Sequence, residues 1–379
     1  MIHRVYFSPG LFGFGRLASF DYFGHLERAF VEKFRQEGQE MKAWVVDVPP
    51  TASIRRRASC LCELVSRTAG DDAGPIHLVG HSTGGLDVRL VASPSATLPV
   101  DPATLTWLPR LRSVSTLATP HFGTPLAAFF ATVSGQRLLH ALSAFTVIAL
   151  TVGSPPLAAA SMLVAVAGGA DRLVGLDIRL LDRATESLLR VLDDAQSREV
   201  RTYLNSIVQD QGAVIQLTPE AMDLFQAGVE DRPKVYYQCT AALAPVPSPA
   251  RLWRAALDPR RALSGVVFAA LRTLTSRYDM AYPCASHLID PATEAALVKV
   301  FGETPAPGAN DGVVPMRSQL WGHLAWAGHA DHLDVLGHFD SPGKTDPHQD
   351  WMTSGAGFDR ARFAALSSAL CAGMLNAAG

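Results

Sequence analysis

Residues 79–89 read VGHSTGGLDVR and continue the apolar run PIHLV of residues 75–79. A small polar residue, Ser82, stands between Gly80 and Gly84 where the apolar run gives way to a helical pattern, Gly84 to Val91. A strand, then G-x-S-x-G, then a helix is the pattern of a nucleophile elbow. That turn is so sharp that the serine backbone is strained and its hydroxyl projects from the carboxyl edge of a sheet. Gly80 and Gly84 suit such a turn because neither has a side chain to clash with neighbouring elements. The following helix points its amino terminus, the positive end of its dipole, at the serine. The competing reading is an ordinary Gly-Ser turn, and the flanking strand and helix patterns argue against it.

Outward from the turn, the spacing predicts strands at 2–7, 42–48, 76–79 and 114–118, and another beginning at Lys234. Helices are predicted over 24–37, with Leu26, Phe30 and Phe34 on one face, and after a Ser53 cap, with Ile54, Leu61, Leu64 and Val65 inward. Alternating strands and helices define an α/β chain with a mostly parallel sheet and helices on both faces. The run KAWVVDV reads as a strand buried on both faces. The alternation breaks after Pro125. Residues 138–170 contain no Asp, Glu, Lys or Arg, yet Pro155-Pro156 divides them into halves too short for the ~18–20 residues of a membrane span. Two apolar helices are expected there, followed by a charged helical stretch over 171–201. The expected organisation is a core over 1–125, a helical lid or cap insertion over 126–233, and a second core part over 234–379 with an apolar excursion near 243–283. The plainer reading of the insertion is additional core.

The chain has 379 residues, 48% hydrophobic and 18% charged, enough for a large core. Its net charge of −2 carries no basic excess, so nucleic acid is not an expected partner. Arg55-Arg56-Arg57 reads as a solvated helix face. The five cysteines, Cys60, Cys62, Cys239, Cys284 and Cys371, are odd in number and match no zinc spacing. Reduced thiols and a start, MIHRVYFSPG, that enters a strand at once predict a cytoplasmic protein, with signal-less secretion as the alternative.

A serine hydroxyl needs a base, and the base needs an orienting acid, here in the chain order Ser, acid, His. NDGVVP offers Asp311 in a turn after a strand-like segment, and ADHLDVLGH offers His332. His323, His329, His338 and His348 compete, and spacing does not choose among them.

Several ordered patches resemble the bacterial true lipases of the Pseudomonas and Burkholderia type, within the α/β-hydrolase superfamily. PGLFGF with DYFGHL is similar to that family's oxyanion-loop region, VGHSTGGLDVRLVA to its elbow, and LATPHFGTPLA to the segment after its next strand. LTPEAMDLF, VYYQCTAA, ANDGVVP and DHLDVLGH follow in the family's order; 138–210 and 243–283 match least. The resemblance implies an α/β-hydrolase fold with Ser82 as nucleophile, Asp311 as acid and His332 as base. It places the oxyanion hole at the backbone N–H groups of Leu11 and Thr83. It departs at Pro9-Gly10, where the family usually has His-Gly. It also implies a structural calcium ion held by Asp290, Asp334 and the carbonyls of His338 and Pro342, and no organic cofactor. The plainer readings are Asp290 as the cap of a helix starting at Pro291 and Asp334 as a surface acid.

The expected function is hydrolysis of a hydrophobic acyl ester through an acyl-enzyme, with transient contact at a lipid interface if the insertion is a lid. Glycerides, short esters, hydroxyalkanoate polyesters and phospholipids all fit. A non-catalytic lipid-binding or partner-binding protein of the same fold is the reading from another class.

Overall fold

The computed structural model describes residues 1–11, 16–17, 20–152, 178–246, 259–277, 284, 289–339 and 353–379. Strand β1 (Ile2–Ser8) is followed by a short antiparallel pair, β2 (Arg16–Leu17) and β3 (Phe20–Asp21). Then come β4 (Glu40–Val45), β5 (Ile76–His81), β6 (Leu111–Leu117), β7 (Tyr236–Leu243) and β8 (His323–His329). The main sheet has the order β4-β1-β5-β6-β7-β8, and every pairing in it is parallel.

Alternation along the strands splits the interior into two layers. Val5, Phe7 and Val79 join one core with Leu26, Phe30 and Phe34 of helix α1 (Gly24–Gln36) and Leu366 and Leu370 of the C-terminal helix Arg360–Ala378. Tyr6, Ile76 and Leu78 face the other core, with Leu61 and Val65 of α2 (Ile54–Thr68) and Val88 of α3 (Thr83–Ala92). This parallel sheet, covered on both faces, is the α/β architecture that the alternation predicts. The Ser53 hydroxyl accepts from Arg56 N–H at 3.3 Å and caps α2.

Four expectations change. β4 lies at the sheet edge, so Lys42 is exposed and Ala43, Trp44 and Val45 are only half-buried. The strand expected from Lys234 begins at Tyr236, because Lys234 has φ +66° and cannot extend the ladder. Asp311 follows no strand: helix Pro291–Phe301 precedes it, and a bridge between Asn310 and Pro315 closes its turn. Arg57 is fully buried while Arg55 and Arg56 are exposed, because Arg57 turns inward onto Asp87 of α3 and the Pro9 carbonyl.

Within the expected insertion, α4 (Pro125–Phe130) leads into α5 (Val133–Val152). Leu138, Leu139, Leu142, Phe145 and Ile148 of α5 are buried in the same core as β1 and α1. Pro155-Pro156 and the rest of the apolar segment lie outside the described residues. The charged stretch forms two helices, Ile178–Leu189 and Asp194–Gln209, and residues 171–177 are outside the described part. In the second excursion, helix Pro259–Thr275 buries Val267, Phe268 and Leu271 in the same core. Among the described residues no helix is long and apolar enough to cross a membrane, and no disulfide forms.

Candidate active site

Ser82 sits between the end of β5 and the start of α3 with φ 54° and ψ −126°. A side-chain-bearing residue in that region is strained and persists only where its surroundings hold it. They do so tightly here. The Ser82 N–H donates to Leu117 O at 2.8 Å. A Cβ at Gly80 would lie 2.2 Å from Gly84 O, and one at Gly84 would lie 2.0 Å from Ser8 O. No other residue fits at either position. Thr83 is the first residue of α3, so its N–H has no intrahelical acceptor. On the opposite side, the Leu11 carbonyl accepts from Thr51 N–H at 2.9 Å, which fixes the loop after β1.

Asp311 is fully buried. Its Oδ1 accepts from Val313 N–H at 2.9 Å and Val314 N–H at 2.7 Å, and its Oδ2 lies 2.7 Å from His332 Nδ1. The His332 N–H donates to Asp311 O at 3.1 Å, so both backbone and ring of the histidine are tied to the same acid. Because the carboxylate only accepts, Nδ1 carries the hydrogen and the other ring nitrogen, Nε2, is left to face the site. The rival histidines stand elsewhere. His323 is exposed at the amino end of β8, His329 packs its ring on Phe301, His338 packs on Phe20 and His25, and His348 lies outside the described residues.

Two positioning groups escape the sequence reading. Buried Gln319 donates from Nε2 to Asp311 Oδ2 at 3.3 Å and to Ala242 O at 3.1 Å, and accepts from Ala242 N–H at 2.7 Å. It pins the acid to the end of β7. Arg57 donates from Nε to both oxygens of Asp87 at 3.2 and 3.0 Å, and from Nη2 to Pro9 O. Ser8 Oγ donates to Asp87 Oδ2 at 2.7 Å. Burial raises the Asp87 carboxyl above its usual range against the pull of Arg57. The arginine thus holds the Pro9 carbonyl and supports the loop that leads to Leu11. No local pattern marks either residue, since the backbone groups they brace, at Ala242 and Pro9, lie 77 and 48 positions away.

Ser82 and His332 both line a cavity of about 70 Å³ whose remaining wall is almost wholly apolar, with Leu11, Leu139, Leu142, Leu271 and Leu333. A second cavity of about 40 Å³ opens from Ser82 and Thr83 towards Thr124, Val214 and Leu217.

The two carboxylates expected to hold calcium each accept backbone hydrogen bonds. Asp290 caps helix Pro291–Phe301, accepting from Ala292 N–H and Thr293 N–H at 3.0 Å each, and lines a hollow with Trp321 and Leu324 at the amino end of β8. The far end of that helix packs Phe301 on His329, at the carboxyl end of β8. Asp334 lies beyond that end, buried, with Oδ2 accepting from Asp331 N–H at 2.7 Å. Among the described residues no group of three or more His, Cys, Asp or Glu is arranged to hold a metal. His338 is buried, and Pro342 lies outside the described residues.

No protein-family model matches the chain, and no curated protein matches it. Among solved structures it is similar to EstA from Clostridium botulinum, with 18% identity over 96% of this chain and 88% of that one, at a TM-score of 0.49. It is similar to lipase 1 from Pelosinus fermentans at 18% identity, covering 88% and 93%, with a TM-score of 0.47. For the Staphylococcus hyicus lipase the values are 15% identity, 93% and 92% coverage and a TM-score of 0.45.

Proposed function

We propose that the chain is a carboxylic ester hydrolase that works through a Ser82 acyl-enzyme. One observation carries this reading: the strained Ser82 shares an apolar cavity with His332, whose ring is held 2.7 Å from the buried Asp311. In this reaction His332 Nε2 takes the Ser82 Oγ proton as the oxygen attacks the acyl carbonyl carbon. Asp311 keeps the imidazole in the right tautomer and stabilises its positive charge. The N–H groups of Leu11 and Thr83 receive the developing oxyanion, a contribution of about 2.7–4 kcal/mol for one such donor. His332 then returns the proton to the departing alkoxide, and the alcohol leaves. Water, deprotonated by His332, attacks the acyl-enzyme, and the acid leaves as Oγ regains its proton.

The cavity supports a substrate of limited acyl length. The 70 Å³ beside Ser82, almost wholly apolar in its lining, suits a short acyl chain. Longer chains require α5, which supplies Leu139 and Leu142 to the wall, to move aside; that is the form a lid would take in this protein. The fit therefore favours short to medium acyl esters over long-chain glycerides.

The test is hydrolysis of p-nitrophenyl esters from acetate to palmitate by the wild-type protein and Ser82→Ala. The expected result is a kcat/KM maximum between butyrate and octanoate, and a loss of about 10⁴–10⁶ in kcat for Ser82→Ala. A variant that keeps a tenth of the activity overturns the nucleophile. A maximum at palmitate overturns the acyl pocket.

A further inference from the structure

Beneath Ser82 a chain of three hydrogen bonds joins the two halves of the site. The Gly10 N–H donates to Tyr22 Oη at 3.1 Å, Tyr22 Oη lies 2.8 Å from His81 Nδ1, and His81 Nε2 lies 2.8 Å from His332 O. Its direction follows from the chemistry of the ends. A carbonyl oxygen only accepts, so His81 carries its hydrogen on Nε2. Burial holds the His81 pKa well below the usual histidine range, so the ring is neutral and Nδ1 is a bare acceptor. Burial raises the Tyr22 phenol, which therefore keeps its proton and donates it to Nδ1. Every hydrogen in the chain has one place to go.

The chain's ends are what give it meaning. Gly10 immediately precedes Leu11, one oxyanion donor; His81 immediately precedes the nucleophile; and the final acceptor is the backbone of the catalytic base itself. The fit is close: a Cβ at Gly10 would lie 2.7 Å from Tyr22 Oη and 3.4 Å from His81 Nδ1. The His81 and His332 rings are 4.8 Å apart.

We propose that Tyr22 and His81 form a positioning relay that sets the distance between the oxyanion loop and the His332 loop across Ser82. The proposal rests on the serine-hydrolase reading above. Neither side chain exchanges a proton with substrate. Their effect is on the alignment of groups that act in the transition state, where a displacement of about 1 Å can cost about 10²-fold in rate.

The experiment compares Tyr22→Phe, His81→Gln and His81→Leu with the wild-type protein. The readouts are kcat and KM on p-nitrophenyl butyrate, the rate of Ser82 labelling by a fluorophosphonate, and the melting temperature. Tyr22→Phe removes one oxygen at nearly constant volume, so it keeps the test open if a His81 variant fails to fold. The expected result for Tyr22→Phe is a kcat lowered about tenfold to a hundredfold, with KM within twofold and labelling slowed in parallel. His81→Gln, whose amide still reaches His332 O, should retain more kcat than His81→Leu. The relay is overturned by a folded Tyr22→Phe of wild-type kcat, by a loss seen in KM alone, which would make Tyr22 only a cavity wall, or by equal kcat in two folded His81 variants. Failure of the parent reading is separately visible: the wild-type protein would then hydrolyse esters without labelling at Ser82.

Discussion

Strand β5 carries two buried histidines on one face, His77 near its amino end and His81 at its carboxyl end, and they serve different ends. At the amino end, His77 Nδ1 pairs with Ser113 Oγ at 2.8 Å, its Nε2 lies 3.0 Å from His3 Nδ1, and its ring stacks on His3. Burial lowers the His77 pKa to about 3. That thread runs on from His3 to Gln39, just before β4, and reaches no part of the site. At the carboxyl end, His81 is equally buried and equally neutral, but its partners lead to the loops that carry Leu11 and His332. Residue type, strand, face and burial are shared. The difference is that the carboxyl edge of a parallel sheet opens into loops, where open α/β sheets place their ligands. A buried polar group becomes part of a site only when its hydrogen bonds end on moving or reacting parts.

The strongest way to break the carboxyl end is Arg57→Met. It leaves Asp87 buried without its charge partner, and removing one member of a buried ion pair costs about 3–5 kcal/mol. Urea unfolding should show that loss, and Arg57→Met with Asp87→Leu should recover most of it, because two apolar side chains leave no orphan charge. A single-variant cost below about 1 kcal/mol, the scale of an exposed pair, would mean that the pair does not hold the Pro9 loop.

The amino end has a smaller and pH-dependent signature. Between pH 6.5 and about 3 the unfolded chain protonates His77 while the folded protein does not. Acid therefore favours the unfolded state, and the stability contributed by the neutral ring is present above pH 6.5 and lost as pH falls. Subtracting the stability of His77→Gln isolates this group. The wild-type advantage should shrink by about 2 kcal/mol from pH 6.5 to 5, at about 1.4 kcal/mol per pH unit. A difference that stays level across that range would show that His77 is charged in the fold. The smallest effect concerns calcium. If Asp290 and Asp334 share a calcium ion, excess chelator lowers the melting temperature, added calcium restores it and Asp334→Ala abolishes the response; a melting curve unchanged in chelator leaves Asp290 as a helix cap alone.

Much of the site was legible because its signals are local. A strand, two glycines and a helix within a dozen residues predict the turn at Ser82, and the alternation of strands and helices predicts a parallel sheet covered on both faces. Asp290 as a helix cap was legible for the same reason: its hydrogen bonds stay within three residues. Distance in sequence marks where that legibility stops. Five histidines stand near the C-terminus; their spacing does not choose among them, the family resemblance points to His332, and the 2.7 Å contact to Asp311 shows how it is held. The edge position of β4 depends on strand order, which no single strand encodes. Arg57 looked like part of a solvated charge run, because the run itself does not say which side faces the sheet.

The amino-acid sequence by itself determined the elements, their alternation and the strained serine turn, since propensity, glycine chemistry and hydrophobic period act over a few residues. Tertiary structure alone decided how His332 meets the acid, that Gln319 and Arg57 brace the site, and that Tyr22 and His81 connect its two sides. Those contacts span from 8 to 251 positions along the chain, and a hydrogen bond of 3 Å between the distant partners exists only once the sheet has brought their loops together.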